Sequence, residues 1–243
     1  MPVLGVELGR SRRELWLWPL NGVLTFAVPY GILYWAEQWV PSGLAAVIYA
    51  TYPLMIALIA HLLLPAERLT RSNAVGVLVG FAGVTVIFSE DFAALGGARV
   101  ATATAALLVC PFCAALGSAI VKRWGAGVHP LSITAVPMAI TAVLMGAVSL
   151  WTERDRELSF GTAPLLALLY LALMGSALTF TLYFWLLRHQ AATALSLITY
   201  AIPVIAVGVG VLFLDEPLTA RLVGGAALVL AGVAVAVGRS RPA

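Results

Sequence analysis

Of the 243 residues, 62% are hydrophobic and 10% charged, and the mean hydropathy is +1.00, against roughly half apolar and a quarter charged in soluble domains. This excludes an ordinary soluble domain and places the chain in a bilayer. The net charge of +3 reports orientation and not a nucleic-acid partner, because the basic residues sit in short loops between apolar runs.

Crossing the hydrocarbon takes about 20 apolar residues per helix. Eight stretches free of Asp, Glu, Lys and Arg follow in chain order: Trp16 to Trp35, Ser42 to Leu64, Asn73 to Phe88, Val100 to Val121, Leu131 to Trp151, Ala163 to Leu187, Ala192 to Leu214 and Leu222 to Val237. The first follows Arg10 to Arg13 but is too long and too aromatic for a cleaved signal peptide, so it reads as a retained helix. The third and eighth have 16 residues each and stand upright or borrow their flanks. The runs are continuous, not alternating, which excludes a barrel of strands. The expected fold is all-α and integral to the membrane, with eight transmembrane helices.

With the N-terminus inside, ten basic residues fall on the cytoplasmic side (Arg10, Arg12, Arg13, Arg68, Arg71, Lys122, Arg123, Arg188, Arg239 and Arg241) and four opposite (Arg99, Arg154, Arg156 and Arg221). By the positive-inside rule both termini are cytoplasmic. Short loops with both termini inside suit a cell (plasma or inner) membrane.

A passage occurs twice. Tyr34-Trp35, Tyr52-Pro53, Glu67-Arg68-Leu69-Thr70 and Gly76 to Gly83 return as Tyr183-Phe184, Ile202-Pro203, Glu216-Pro217-Leu218-Thr219 and Gly225 to Gly232, offset by 149 positions, or 150 at the prolines. Matching helices are five apart. An odd offset reverses the direction of crossing, so the repeat is inverted, as in many secondary transporters. The division is residues 1–89, a partial first repeat of three helices, and residues 100–238, a second repeat of five. Two helices have no counterpart. Either the eight-helix form is genuine or the true start lies upstream; repeat symmetry favours the second.

Pro29-Tyr30 with Tyr34-Trp35, the run Val40 to Ala46, Tyr52-Pro53-Leu54, Glu67-Arg68-Leu69-Thr70, Gly76, Gly80 and Gly83, with their second-copy equivalents through Pro203 and Asp215 to Thr219, resemble the EamA-type domain of the drug/metabolite transporter superfamily. The resemblance covers about Leu15 to Val237. It implies an inverted-repeat carrier of small metabolites with a central cavity, complete with ten helices. This chain departs from that pattern by lacking the first two.

Pro53 and Pro203 sit near the middle of equivalent helices, where each removes a backbone donor and bends the helix toward a cavity. Around them lie Tyr49, Thr51 and Tyr52, and Ser196, Thr199 and Tyr200; these hydroxyls either orient a substrate or bond helix to helix. Tyr30 and Tyr34 share a face of the first helix, and Thr179 and Tyr183 repeat that arrangement. Such a face receives an apolar or aromatic molecule, or a cation over a ring, or is ordinary packing. Trp16, Trp18, Trp35 and Trp39 read as an interfacial belt. Glu67 and Glu216 end equivalent helices, each placed to complement the amides of the next helix. Small faces at Gly76, Gly80 and Gly83, and at Gly225 and Gly232, suit scaffold packing or a homodimer contact.

Cys110-Pro111-Phe112-Cys113 lacks the strand that a redox C-x-x-C needs. Its cysteines read as packing groups, with Pro111 as a kink. His61, His129 and His189 form no metal pattern, and neither a metal nor a cofactor is expected. No Lys or Arg lies within a run, which counts against phosphorylated substrates. Glu37 and His61 are the candidates for coupling or gating. The leading reading is therefore not an enzyme but a secondary transporter of a small neutral, zwitterionic or hydrophobic metabolite, such as an amino acid or drug-like compound. A shortened, transport-inactive assembly partner is the alternative, and a membrane-embedded enzyme, which would need grouped polar residues at depth, a lesser one.

Overall fold

A computed structural model describes residues 11–40, 42–87, 89, 97–153, 161–201, 204–205 and 219–237, whose regular structure is helical with no strand among them. Helix α1 spans 12–36, α2 spans 42–63, α3 is Arg71–Ile87, α4 is Ala98–Trp124, α5 is Pro130–Thr152, α6 is Thr162–His189, α7 is Ala192–Ala201 and α8 is Ala220–Val237. Four are long and apolar enough to cross a membrane: Leu44–Leu63, Ala98–Trp124, Pro130–Thr152 and Thr162–His189.

Local chemistry explains where these helices start and bend. Ser11 opens α1 with a capping box: its hydroxyl accepts from the Glu14 amide at 3.3 Å, and the Glu14 carboxylate accepts from the Ser11 amide at 3.2 Å. That satisfies two of the orphan donors of a first turn. Between Pro19 and Pro29 the helix widens into a π-helical stretch, Gly22–Ala27. The Gly22 carbonyl is taken up by the Thr141 hydroxyl at 2.9 Å, so the irregular backbone is satisfied by a neighbouring helix, as a membrane interior requires. A second π-helical stretch, Leu171–Leu178, interrupts α6.

Helix α2 breaks at Ala50 and Thr51 into Ser42–Tyr49 and Tyr52–Leu63. Pro53 has no N–H for the Tyr49 carbonyl, and Thr51 closes the break by donating its hydroxyl to the Ile48 carbonyl at 2.6 Å. Pro111 acts similarly on α4, which turns at Leu108 between Ala98–Leu107 and Val109–Trp124. Cys110 is buried there and its thiol donates to the Pro29 carbonyl at 3.6 Å.

Among the described residues, three buried clusters hold the bundle. The largest joins α1, α2, α4, α5 and α6 around Leu17, Ile56, Ile59, Leu64, Phe184 and Leu187. A smaller one packs the outer half of α1 on the first segments of α2 and α4 through Val40, Leu44, Ile48 and Leu107. The third joins α3, α7 and α8 around Val77, Val84, Tyr200 and Val229. In it, positions 76, 80, 83 and 87 of α3 face 236, 232, 229 and 225 of α8, an antiparallel pair in backbone contact. A Cβ at Gly76 would stand 2.5 Å from the Ala236 nitrogen, closer than atoms approach without displacement. The small faces read from the sequence are therefore spent on each other within the chain, as scaffold packing.

The first half of α6 is exposed along its length, with Tyr170 66% accessible, and so is the end of α5, with Trp151 at 74%. Apolar side chains on that scale fit a lipid-facing surface. Of the tryptophans read as a belt, Trp18 is half-buried and donates its ring N–H to the Ser132 hydroxyl, in the first turn of α5, at 3.2 Å.

Candidate functional site

One face of α1 carries Thr25, Pro29, Tyr30, Leu33 and Glu37 into a cavity of about 490 Å³. The spacing is helical, so a single stripe of α1 lines it from middle to end. The opposite wall comes from Ala45, Ala46, Tyr49 and Tyr52 of α2, where two alanines leave room that larger side chains would fill. Helix α4 adds Ala114 and Ser118, one turn apart; α6 adds Phe180 and Tyr183; and α7 adds Leu195, Ser196, Ile198 and Thr199. The walls are apolar and aromatic with a few convergent hydroxyls, the usual make-up of a small-molecule site.

The hydroxyls converge at the floor. Tyr52 and Tyr183 place their phenol oxygens 2.6 Å apart, and each lies against the Ser118 hydroxyl, at 3.1 and 3.0 Å. Both phenols can donate to the Ser118 oxygen, and either phenol can donate to the other, so the floor is a cluster of hydroxyls that can both donate and accept. The aromatic rings of α1 form a ladder above it: Phe26 stacks on Tyr30 with centroids 6.5 Å apart, and Tyr30 on Tyr34 at 5.9 Å.

Beyond the floor the bundle is closed, first by the largest buried cluster and then by charge. Lys122, in the last turn of α4, lies 2.7 Å from the Glu67 carboxylate and donates to the Leu187 carbonyl at 3.0 Å and to that of Gln190. Glu67 also accepts from the Ala192 amide at 2.6 Å. Arg123 donates to the Leu63 carbonyl. One ammonium, one carboxylate and one guanidinium thus fasten the ends of α2, α4 and α6 and the start of α7, supplying orphan helix-end groups with charged partners. This corrects the expectation that Glu67 serves the next helix. Its carboxylate caps α7, and Thr70 caps α3 by accepting from the Asn73 amide at 3.1 Å.

Of the residues chosen from the sequence, Tyr30, Tyr49, Tyr52, Tyr183, Thr199 and Glu37 all line the cavity. Tyr34 extends the ladder outward and is 65% exposed. Pro53 is buried behind the wall and acts by breaking α2. Tyr200 is placed otherwise than expected: its ring packs over Gly80, and its hydroxyl donates to the Val77 carbonyl at 2.9 Å. Thr179 likewise turns from the cavity to donate to the Met174 carbonyl at 2.7 Å, which serves the π-helical backbone of α6. His61 is exposed away from the cavity and accepts from the Leu69 amide at 3.4 Å. Pro203 and Glu216 lie outside the described residues. Sequence reasoning missed Ser118, Thr25 and Phe180. Ser118 follows Pro111 by two turns on a kinked helix, and a small hydroxyl at that depth was the available signal.

Residues 3–89 and 102–238 match the EamA-like transporter family. The chain belongs to that family. Among its relatives it is 26% identical over 231 residues to the uncharacterized transporter YvbV of Bacillus subtilis, covering 94% of this chain and 74% of the relative. It is 31% identical over 215 residues to the protein PecM of Dickeya dadantii, covering 86% and 70%. A probable terminal-alkyne amino-acid exporter of Streptantibioticus cattleyicolor is 28% identical over 242 residues, covering 95% and 75%. A solved crystal structure aligns with a TM-score of 0.82 at 22% identity, covering 97% of this chain and 80% of the other. The EamA-like chain described here is accordingly a membrane protein, and membrane transport is the activity its family supports.

Proposed function

We propose that this protein is a secondary transporter that moves a small neutral, zwitterionic or hydrophobic molecule, such as an amino acid or drug-like compound, by alternating access between two inverted halves. The observation that carries this reading is a mid-bundle cavity floored by Tyr52, Ser118 and Tyr183, beyond which the bundle is closed by its largest buried cluster and by the Lys122–Glu67 pair. A site reachable from one side and latched on the other is what one state of an alternating-access carrier requires.

Two features support the inverted repeat and its eight spans. Shifting the α3 positions 76, 80, 83 and 87 by 149 yields 225, 229, 232 and 236, so the α3–α8 contacts map onto themselves. That is the behaviour of a two-fold axis between the helices. The π-helical stretch beginning at Gly22 recurs at Leu171, again 149 positions on. With both termini cytoplasmic by the distribution of Lys and Arg, the latch is cytoplasmic and the cavity faces the opposite side of a cell membrane. The amino-acid cargo in the name of the Streptantibioticus relative suits a site with apolar walls and a hydroxyl floor.

The test is flux through the full chain reconstituted in liposomes, scored with radiolabelled aromatic and aliphatic amino acids and amines. Protein-dependent counterflow that Tyr52→Phe and Tyr183→Phe reduce, with insertion and folding unchanged, is expected. Flux equal to protein-free liposomes across the panel would refute the transport reading.

A further inference from the structure

We infer that the cavity selects amphiphiles with an ammonium group on an apolar or aromatic body, amines or zwitterions, over neutral and anionic molecules of the same shape, and that Glu37 is the residue that reads the positive charge. This deepens the transport reading above and rests on it for the direction in which a bound molecule then moves.

Glu37 is the only formally charged side chain among the described residues that line the cavity. It is also in an electrostatically unfavourable place. Glu37 is the C-cap of α1, and no basic residue occupies the last turn. A helix C-terminus carries roughly half a negative charge, so a carboxylate there is destabilising where a cation would be stabilising. Its carboxylate makes no ion pair or hydrogen bond among the described residues, whereas Glu67 at the other end of the bundle has both. A local rule broken without a compensating partner marks a functional position more often than a structural one. Carboxylate and helix dipole together make the cavity mouth attractive to a cation and repulsive to an anion.

The path inward continues the same preference. Inward of Glu37 the wall is aromatic, with Tyr30, Tyr49 and Phe180 lining the cavity, so the carboxylate leads onto ring surfaces. Ring faces attract ammonium groups, more strongly as water is removed. Mouth and walls are two separate elements with one charge preference.

The experiment uses three probes of matched shape: 2-phenylethylammonium, 2-phenylethanol and 3-phenylpropionate. Binding to the full chain purified in detergent is measured for the parent, Glu37→Gln and Glu37→Asp, and liposome uptake is measured alongside. The parent is expected to bind the ammonium about tenfold tighter than the alcohol and to reject the carboxylate, a charge-assisted hydrogen bond being sufficient for that ratio. Glu37→Gln should bring the ammonium to the level of the alcohol without moving the alcohol, and Glu37→Asp should keep most of the preference. Tyr52→Phe should weaken the ammonium and the alcohol together. Equal binding of ammonium and alcohol by the parent, binding of none, or a preference that survives in Glu37→Gln overturns the inference. Glu37-dependent binding with no uptake overturns the transport reading alone, and equal uptake of all three probes overturns the cation selectivity alone.

Discussion

Replacing Lys122 by Met tests how the closed side of the bundle is held. The change removes an ion pair at 2.7 Å, a hydrogen bond at 3.0 Å to the Leu187 carbonyl and another to that of Gln190. It leaves Glu67 with the Ala192 amide as its remaining partner. Breaking a buried pair by deleting one member costs about 3–5 kcal/mol, and a single hydrogen bond to a charged group is worth about 1.5–3 kcal/mol. The Lys122 and Glu67 side chains are 17% and 13% accessible, so water reaches the orphaned carboxylate and the lower part of that range applies. The expected loss is about 2–3 kcal/mol. Glu67→Gln in the same chain removes the stranded charge and should return about 1 kcal/mol, a non-additivity that a double-mutant cycle measures. The assay is reversible chemical unfolding in mixed micelles, followed by tryptophan fluorescence. A Lys122→Met protein within about 0.5 kcal/mol of the parent, the range of an ordinary surface substitution, would refute the latch as a structural element, as would strict additivity.

The same substitution should change access. With Cys110 and Cys113 replaced by Ala, a cysteine at Ala45 is expected to react with an impermeant maleimide from the side opposite Lys122, and Lys122→Met should raise its labelling from the Lys122 side. Gly80→Ala would set a methyl 2.5 Å from the buried Tyr200 ring and should cost about 1–3 kcal/mol by overpacking. Gly146→Ala in α5, with nothing within 4 Å of the new carbon, should instead gain up to about 1 kcal/mol from helix propensity; unfolding free energies of the pair check both. Ser118→Ala should cost about 1 kcal/mol, two bonds at roughly 0.6 kcal/mol each, and weaken binding of a hydrogen-bonding ligand several-fold in equilibrium titration.

Much of the fold was legible because a bilayer simplifies the sequence code. Runs of about 20 apolar residues have few alternatives to a helix there, and prolines at 53 and 111 announce breaks that α2 and α4 show. The duplicated passage, from Tyr34 to Gly83 and again from Tyr183 to Gly232, led to the family and to equivalent positions. Candidate site residues were legible where a helical stripe decides facing, as for Tyr30.

Equivalence in sequence did not decide neighbours in space. Tyr52 and Tyr200 both flank prolines, yet Tyr52 meets Tyr183 at the cavity floor while Tyr200 fills the hollow over Gly80. Glu67 precedes α3 by a few residues and caps α7 across the bundle. Ser118 carried no pattern, since its role exists only where α2, α4 and α6 converge. Hydrophobic length and proline chemistry are local and can be read along the chain. Hydrogen bonds and ion pairs between helices depend on crossing geometry, set by side-chain packing over many residues at once, and only the tertiary structure decides them.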